Sequence, residues 1–251
     1  MQANNISGVI EQLNEIVVWS AANSDRAGYF AALYKRVTVA VANKIKEGYF
    51  DDNERMEKLD IVFASRYLEA YENYRKGKPC SACWQLAFDT TKSWRPMVIQ
   101  HLLAGMSAHI SLDLGIAAAA VSPGAAINGI HNDFNKINII LNELVDEIKT
   151  DLFAIWPLSK FIVRLNTGAI ENEMAGFSMA IARDAAWQEA IDYAPLDTIA
   201  GQELFITERD KAVTAFGNKF LYPGLWLQTV MGIFRVFEFG TVSSKISRLN
   251  R

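Results

Sequence analysis

The chain is poor in several features, and each shortage excludes a class of protein. Only two cysteines occur in 251 residues, Cys80 and Cys83, so a secreted disulfide framework is not expected. Charge of one sign is not in excess: 25 Lys and Arg against 28 Asp and Glu leave a formal net charge of −3. Without a basic field to hold a phosphate backbone, nucleic acid is not an expected partner. The N-terminus, Met1-Gln2-Ala3-Asn4-Asn5, has neither the basic start nor the apolar core of a secretory signal. The most apolar stretch, Leu102 to Ile130, is interrupted by His109, Asp113 and Pro123, which argues against a simple transmembrane span. A cytoplasmic location is the resulting expectation. No Asn-Gly or Asp-Gly pair joins alternating apolar runs, so no strand set is predicted. Phosphate loop, dinucleotide fingerprint, HExxH helix and nucleophile elbow are all missing.

Helical periodicity is what remains. Hydrophobic residues make up 51% and charged residues 21%, a globular composition long enough to bury a large core. Ile6, Val9, Ile10, Leu13, Ile16 and Val17 recur at spacings of three and four, with Ser7 near the start. A second helix is expected from Tyr29 to Ile45, stopped by Gly48, and a third from the cap Asp51-Asp52-Asn53 to about Tyr74. A long helix should follow Pro96 through His101 and His109 towards Ala120, ended by Ser122-Pro123-Gly124. Others are expected from about His131 to Ile148, from Ala169 to Tyr193, through Lys211 and Phe216, and from Leu225 to Arg248. The six prolines, Pro79, Pro96, Pro123, Pro157, Pro195 and Pro223, all fall where these patterns pause. No repeat or long linker divides the chain. The expectation is an all-α fold, a single-domain multi-helix bundle of about eight helices spanning residues 1–251.

The candidate chemistry centres on Gly105-Met106-Ser107-Ala108-His109-Ile110-Ser111-Leu112-Asp113-Leu114. Four residues separate His109 from Asp113, placing them one turn apart on one helix face, offset by ~40°. A carboxylate among apolar neighbours needs a cation, a metal or several donors. A His–Asp pair at this spacing can hold one divalent ion; equally, the Asp can orient the His or knit helices together. Asp133, at a helix start, either caps backbone amides or supplies a second carboxylate. Asp60 has apolar neighbours on both sides and can face inward, beside Arg66 and Tyr67; an exposed salt bridge accounts for it equally well. His101 and His131 are weaker members. Glu173, Arg183, Asp184 and Trp187 can bring charge and an aromatic wall, although pairing within the helix would explain the charges. Cys80-Ser81-Ala82-Cys83 has redox spacing without the surrounding βαβ pattern. Asp51-Asp52-Asn53-Glu54 is similar to the magnesium motif of helical terpene cyclases, but no convincing second motif accompanies it and capping explains it better.

The His109-Ile110-x-x-Asp113-Leu114 core, followed by Asp133-Phe134 and Asn138, resembles a bacterial family of unknown function, number 5995. Leu33-Tyr34-Lys35-Arg36-Val37-Thr38 and Leu59-Asp60-Ile61-Val62-Phe63-Ala64 extend the likeness over most of the chain. The resemblance implies a helical fold and strengthens His109, Asp113 and Asp133 as site members; it implies no activity. More remotely, the spacing is similar to helical zinc-dependent phospholipase C and nuclease architecture. Three histidines and no second His-x-x-x-acid pair depart from that pattern.

These readings converge on a metal-assisted, hydrolase-like enzyme acting on a small or lipid-like ligand. His109, Asp113 and Asp133 would bind zinc, iron, manganese or magnesium, and Asp60 would be an outer ligand or general base. The alternatives are a metal-free cyclase or isomerase using the His–Asp pair as acid and base, and a non-catalytic binding or scaffold protein. The aromatic C-terminal helix, with Leu225, Trp226, Phe234 and Phe237, is a candidate homodimer surface. Its basic end (Lys245, Arg248 and Arg251) can also approach acidic lipid.

Overall fold

A computed structural model describes residues 3–157 and 179–251. Among them the structure is helical throughout, with no strand. In chain order the helices are α1 (Ile6–Asn23), α2 (Gly28–Lys46), α3 (Asn53–Arg75), α4 (Ala82–Thr91) and α5 (Val98–Ala108). A π-helical turn, His109–Leu114, joins α5 to α6 (Gly115–Val121), and a 3₁₀ segment, Gly124–Ile130, leads into α7 (His131–Ile155). Then come α8 (Met179–Tyr193), α9 (Ile199–Leu221), α10 (Leu225–Val236) and α11 (Val242–Leu249). The part of the expected Ala169–Tyr193 helix before Met179 lies outside the described residues.

The first helix is capped by Asn5, whose side chain accepts from the Gly8 amide at 2.8 Å, rather than by Ser7. Asp52 caps α3 by accepting from the Arg55 amide at 2.9 Å, as the acidic cluster led one to expect. The predicted final helix, Leu225 to Arg248, is broken in two. Gly240 adopts φ +93°, and the preceding Glu238 turns inward to accept from the Val98 amide and the Lys245 ammonium. Burying that carboxylate requires donors on both sides, which a continuous helix would not bring to it.

α5, the π turn and α6 form one rod through the middle of the molecule. α2, α3, α4, α8 and α9 pack around it. The span Val98–Val121 is long and apolar enough to cross a membrane, yet 89% of its apolar window is buried inside the protein. Being surrounded on every side explains its all-round apolar character. Two glycines let the neighbours close in. A Cβ on Gly105 would meet the Phe30 ring at 2.5 Å, and one on Gly115 would meet the Ala186 carbonyl at 2.8 Å. Two apolar clusters form the core, and Phe63, Met106 and Tyr193 pack against both. At the other extreme, Leu225 is 85% and Trp226 79% exposed on α10.

Candidate functional site

The π turn carries both members of the sequence pair. Such a turn inserts a residue into the α-helical ladder and is frequent at functional sites. The guanidinium of Arg209, on α9, donates to the Ser111 carbonyl at 2.9 Å, satisfying a backbone acceptor in the irregular turn. Asp113 is 1% exposed and both oxygens of its carboxylate are in use. Oδ1 accepts from Arg66 Nε at 2.7 Å, and Oδ2 from Trp84 Nε1 at 2.8 Å. His109 Nδ1 lies 3.3 Å from the same Oδ2. Because Asp113 is the acceptor in all three contacts, Nδ1 carries the proton and Nε2 keeps the lone pair.

Aromatic rings fix the imidazole. Phe63 stacks on it with centroids 3.6 Å apart and planes within 5°, and Tyr34 meets it edge-on at 4.4 Å. Burial lowers the His109 pKa, with Asp113 opposing that shift, so the ring stays neutral and basic at Nε2. That nitrogen has no hydrogen-bond partner among the described residues.

His109 lines a cavity of about 240 Å³ that runs among α2, α3, α5, the π turn, α7 and α8. Its walls are mainly Leu33, Val37, Phe63, Leu102, Met106 and Leu141 and residues like them. Asp60 and Tyr34 border the cavity too, and Asp60 Oδ2 is buried without a partner among the described residues. Asp60 does face inward, and burial, with help from Glu57, pushes its pKa up to about 7. Burial likewise raises the Tyr34 phenol well above its ordinary value. Apolar walls with a few convergent polar groups are the usual makeup of small-molecule sites.

Other sequence candidates lie elsewhere. Asp133 is 3% exposed and caps α3 from a distance in sequence: its two oxygens accept from the Asp51 and Asp52 amides at 2.7 and 2.9 Å. Lys136 adds a third contact at 3.0 Å. Among the described residues no group of three or more His, Cys, Asp or Glu is placed to hold a metal ion. The structure therefore brings together His109, Asp113 and Arg66, with Asp60 on the same cavity, and leaves Asp133 in a different network. His101 is buried beside Tyr29, at 5.6 Å, and does not line the cavity. His131 is exposed and stacks on Trp187 at 4.4 Å. Cys83 is buried, with its thiol pushed up chiefly by burial, the opposite of a reactive thiol. The amides at Ala82 and Cys83 are capped by Asp210. Arg183 does reach the cavity wall, Asp184 is exposed, and Glu173 lies outside the described residues.

Sequence reasoning missed Trp84, Tyr34 and Phe63, the residues that hold and flank the imidazole. Nothing at their own positions distinguishes them from ordinary aromatic core residues. No curated protein matches this chain. No solved structure matches it either, so the likeness to zinc-dependent phospholipase C gains no support. The model of a family of unknown function, DUF5995, matches residues 6–223, and the chain belongs to that family.

Proposed function

We propose that the protein takes a small apolar molecule into the cavity and moves a proton on it, with His109 as general base, Asp113 as its orienting partner and Asp60 as acid. One observation carries this reading: His109 and Asp60 border a single apolar cavity, and His109 Nε2 and Asp60 Oδ2 are buried without a hydrogen-bond partner among the described residues. The two titratable groups are shifted in useful directions. Burial makes Asp60 a carboxylic acid near neutral pH and keeps the imidazole unprotonated. Two groups with such separated roles in a water-poor space constitute an acid–base pair. The reaction class that follows is isomerisation or elimination of an apolar compound, with no ion needed to generate the base. The helices act here as one domain, since the shared residues Phe63, Met106 and Tyr193 link the two clusters.

A proton-transfer probe tests the reading directly. 5-Nitrobenzisoxazole is small and apolar, and its ring opens when a base removes its C–H proton. Wild-type protein should accelerate that opening. His109→Gln should lose at least tenfold of the acceleration, while a chelator should leave it unchanged. Equal rates for wild type, His109→Gln and Asp60→Asn would overturn the proposal. Stoichiometric zinc, iron, manganese or magnesium that is absent from His109→Ala and Asp113→Ala protein would instead favour a metal-assisted hydrolase.

A further inference from the structure

Arg183, on α8, is 4% exposed and forms part of the cavity wall. Its Nε donates to Asn138 Oδ1, and its Nη2 donates to the Phe134 carbonyl at 2.6 Å. The guanidinium carbon lies 4.5 Å from the centre of the Phe134 ring. These contacts satisfy hydrogen bonds, but none carries a negative charge. Among the described residues no carboxylate forms an ion pair with Arg183, in contrast to Arg36, held by Asp151 and Glu147, and Arg66, held by Asp113. The exposed neighbour of Arg183, Asp184, opposes the effect of burial without offsetting it, and a buried cation so incompletely compensated is costly. Desolvation draws its pKa down to about 10, still protonated at neutral pH. Such a group beside an apolar void favours an anion over a neutral guest.

Arg183 comes from α8, Asp60 from α3 and His109 from the π turn, and all three border the one cavity among apolar side chains. Its 240 Å³, at about 30 Å³ for each water-sized group, has room for roughly eight such groups. Lys149 also borders the cavity, but its side chain is 60% exposed and already lies near Asp146. It is the weaker anchor.

We infer that the ligand is a medium-chain carboxylate, whose carboxylate group pairs with Arg183 and whose hydrocarbon chain lies in the cavity towards His109 and Asp60. This rests on the proposed apolar-ligand reading and gives its ligand a chemical class. A fatty acid of about six to eight carbons satisfies the volume, the charge and the apolar walls together.

Calorimetric titration at neutral pH with hexanoate, methyl hexanoate and hexanol, against wild type, Arg183→Met and Arg183→Lys, tests the inference. Wild type should bind hexanoate at least tenfold more tightly than its methyl ester. Arg183→Met should lose that preference while keeping affinity for the ester, and Arg183→Lys should keep part of it. Should Arg183→Met fail to fold by circular dichroism, the wild-type comparison of acid with ester and the Lys variant still decide. Equal binding of acid and ester, or a preference that survives in Arg183→Met, overturns the carboxylate inference and leaves the cavity reading intact. Failure of all three compounds to bind wild type sinks the cavity reading itself.

Discussion

His101 and His109 lie eight residues apart on the same central rod, and both are buried, at 5% and 3% exposure. Their surroundings differ. Among the described residues, neither ring nitrogen of His101 has a partner, and nor does the hydroxyl of the adjacent Tyr29. His109 has one nitrogen directed at Asp113 and the other without a partner among those residues, and its ring borders the cavity. Burial alone therefore does not mark a working histidine. An orienting acceptor on one side and space on the other make a base; the lack of both leaves a ring whose protonation is merely costly.

The largest effect expected on this comparison comes from removing the orienting group. Asp113→Ala leaves the Arg66 guanidinium, the Trp84 indole N–H and the His109 Nδ1 without their acceptor. A loss of about 3–5 kcal/mol is expected, read as a lower urea midpoint. A change under about 1 kcal/mol would show that the network is dispensable.

The next test uses pH and separates His101 from the cavity. Burial lowers the His101 pKa from 6.5 to about 3. Its contribution to stability is present above pH 6.5 and is lost as pH falls through that window towards 3. Asp60 has the opposite sign. Its pKa rises from 3.8 to about 7, so stability is greatest below 3.8 and is lost as pH climbs through 7. Each term amounts to on the order of 4 kcal/mol at full extent. Where the windows overlap the slopes oppose each other, and single substitutions should uncover them. His101→Phe should gain most relative to wild type below pH 5, and Asp60→Asn most above pH 7. Denaturation profiles parallel to wild type across pH 4–9 would refute both assignments.

A smaller effect should sharpen the contrast further. Gly105→Ala places a Cβ against Phe30, a ring that packs edge-on to His109 at 5.8 Å. About 1–3 kcal/mol of destabilisation is expected from overpacking. The chemical shifts of the His109 ring should move more than those of His101; the reverse would place the strain elsewhere.

Much of the architecture was legible because it follows from local rules. Three- and four-residue apolar spacings, six prolines at the pauses and the acidic cap at Asp52 gave helices close to those observed, and the spacing of His109 and Asp113 made them neighbours. The apolar flanks of Asp60 allowed an inward carboxylate but equally an exposed ion pair, and only packing chose between them. Other features were not local. The break before Gly240 depends on Glu238 reaching Val98 and Lys245, which are 140 and 7 residues away. Asp133 looked like a third member of the site, yet its oxygens are committed to amides 82 and 81 residues earlier. The role of Trp84 is set by a bond across 29 residues.

The sequence by itself determined the helical class, the central apolar rod and the proximity of His109 to Asp113, since each depends on periodicity within a single helix. Only tertiary structure decided what that pair faces. Asp113 became an orienting group because Arg66 and Trp84 arrive from α3 and α4 to occupy its oxygens. His109 became a candidate base, and Arg183 a candidate anion anchor, because packing left an apolar void beside them. Such a void is a property of how helices fail to fill space together, and no single stretch of sequence encodes it.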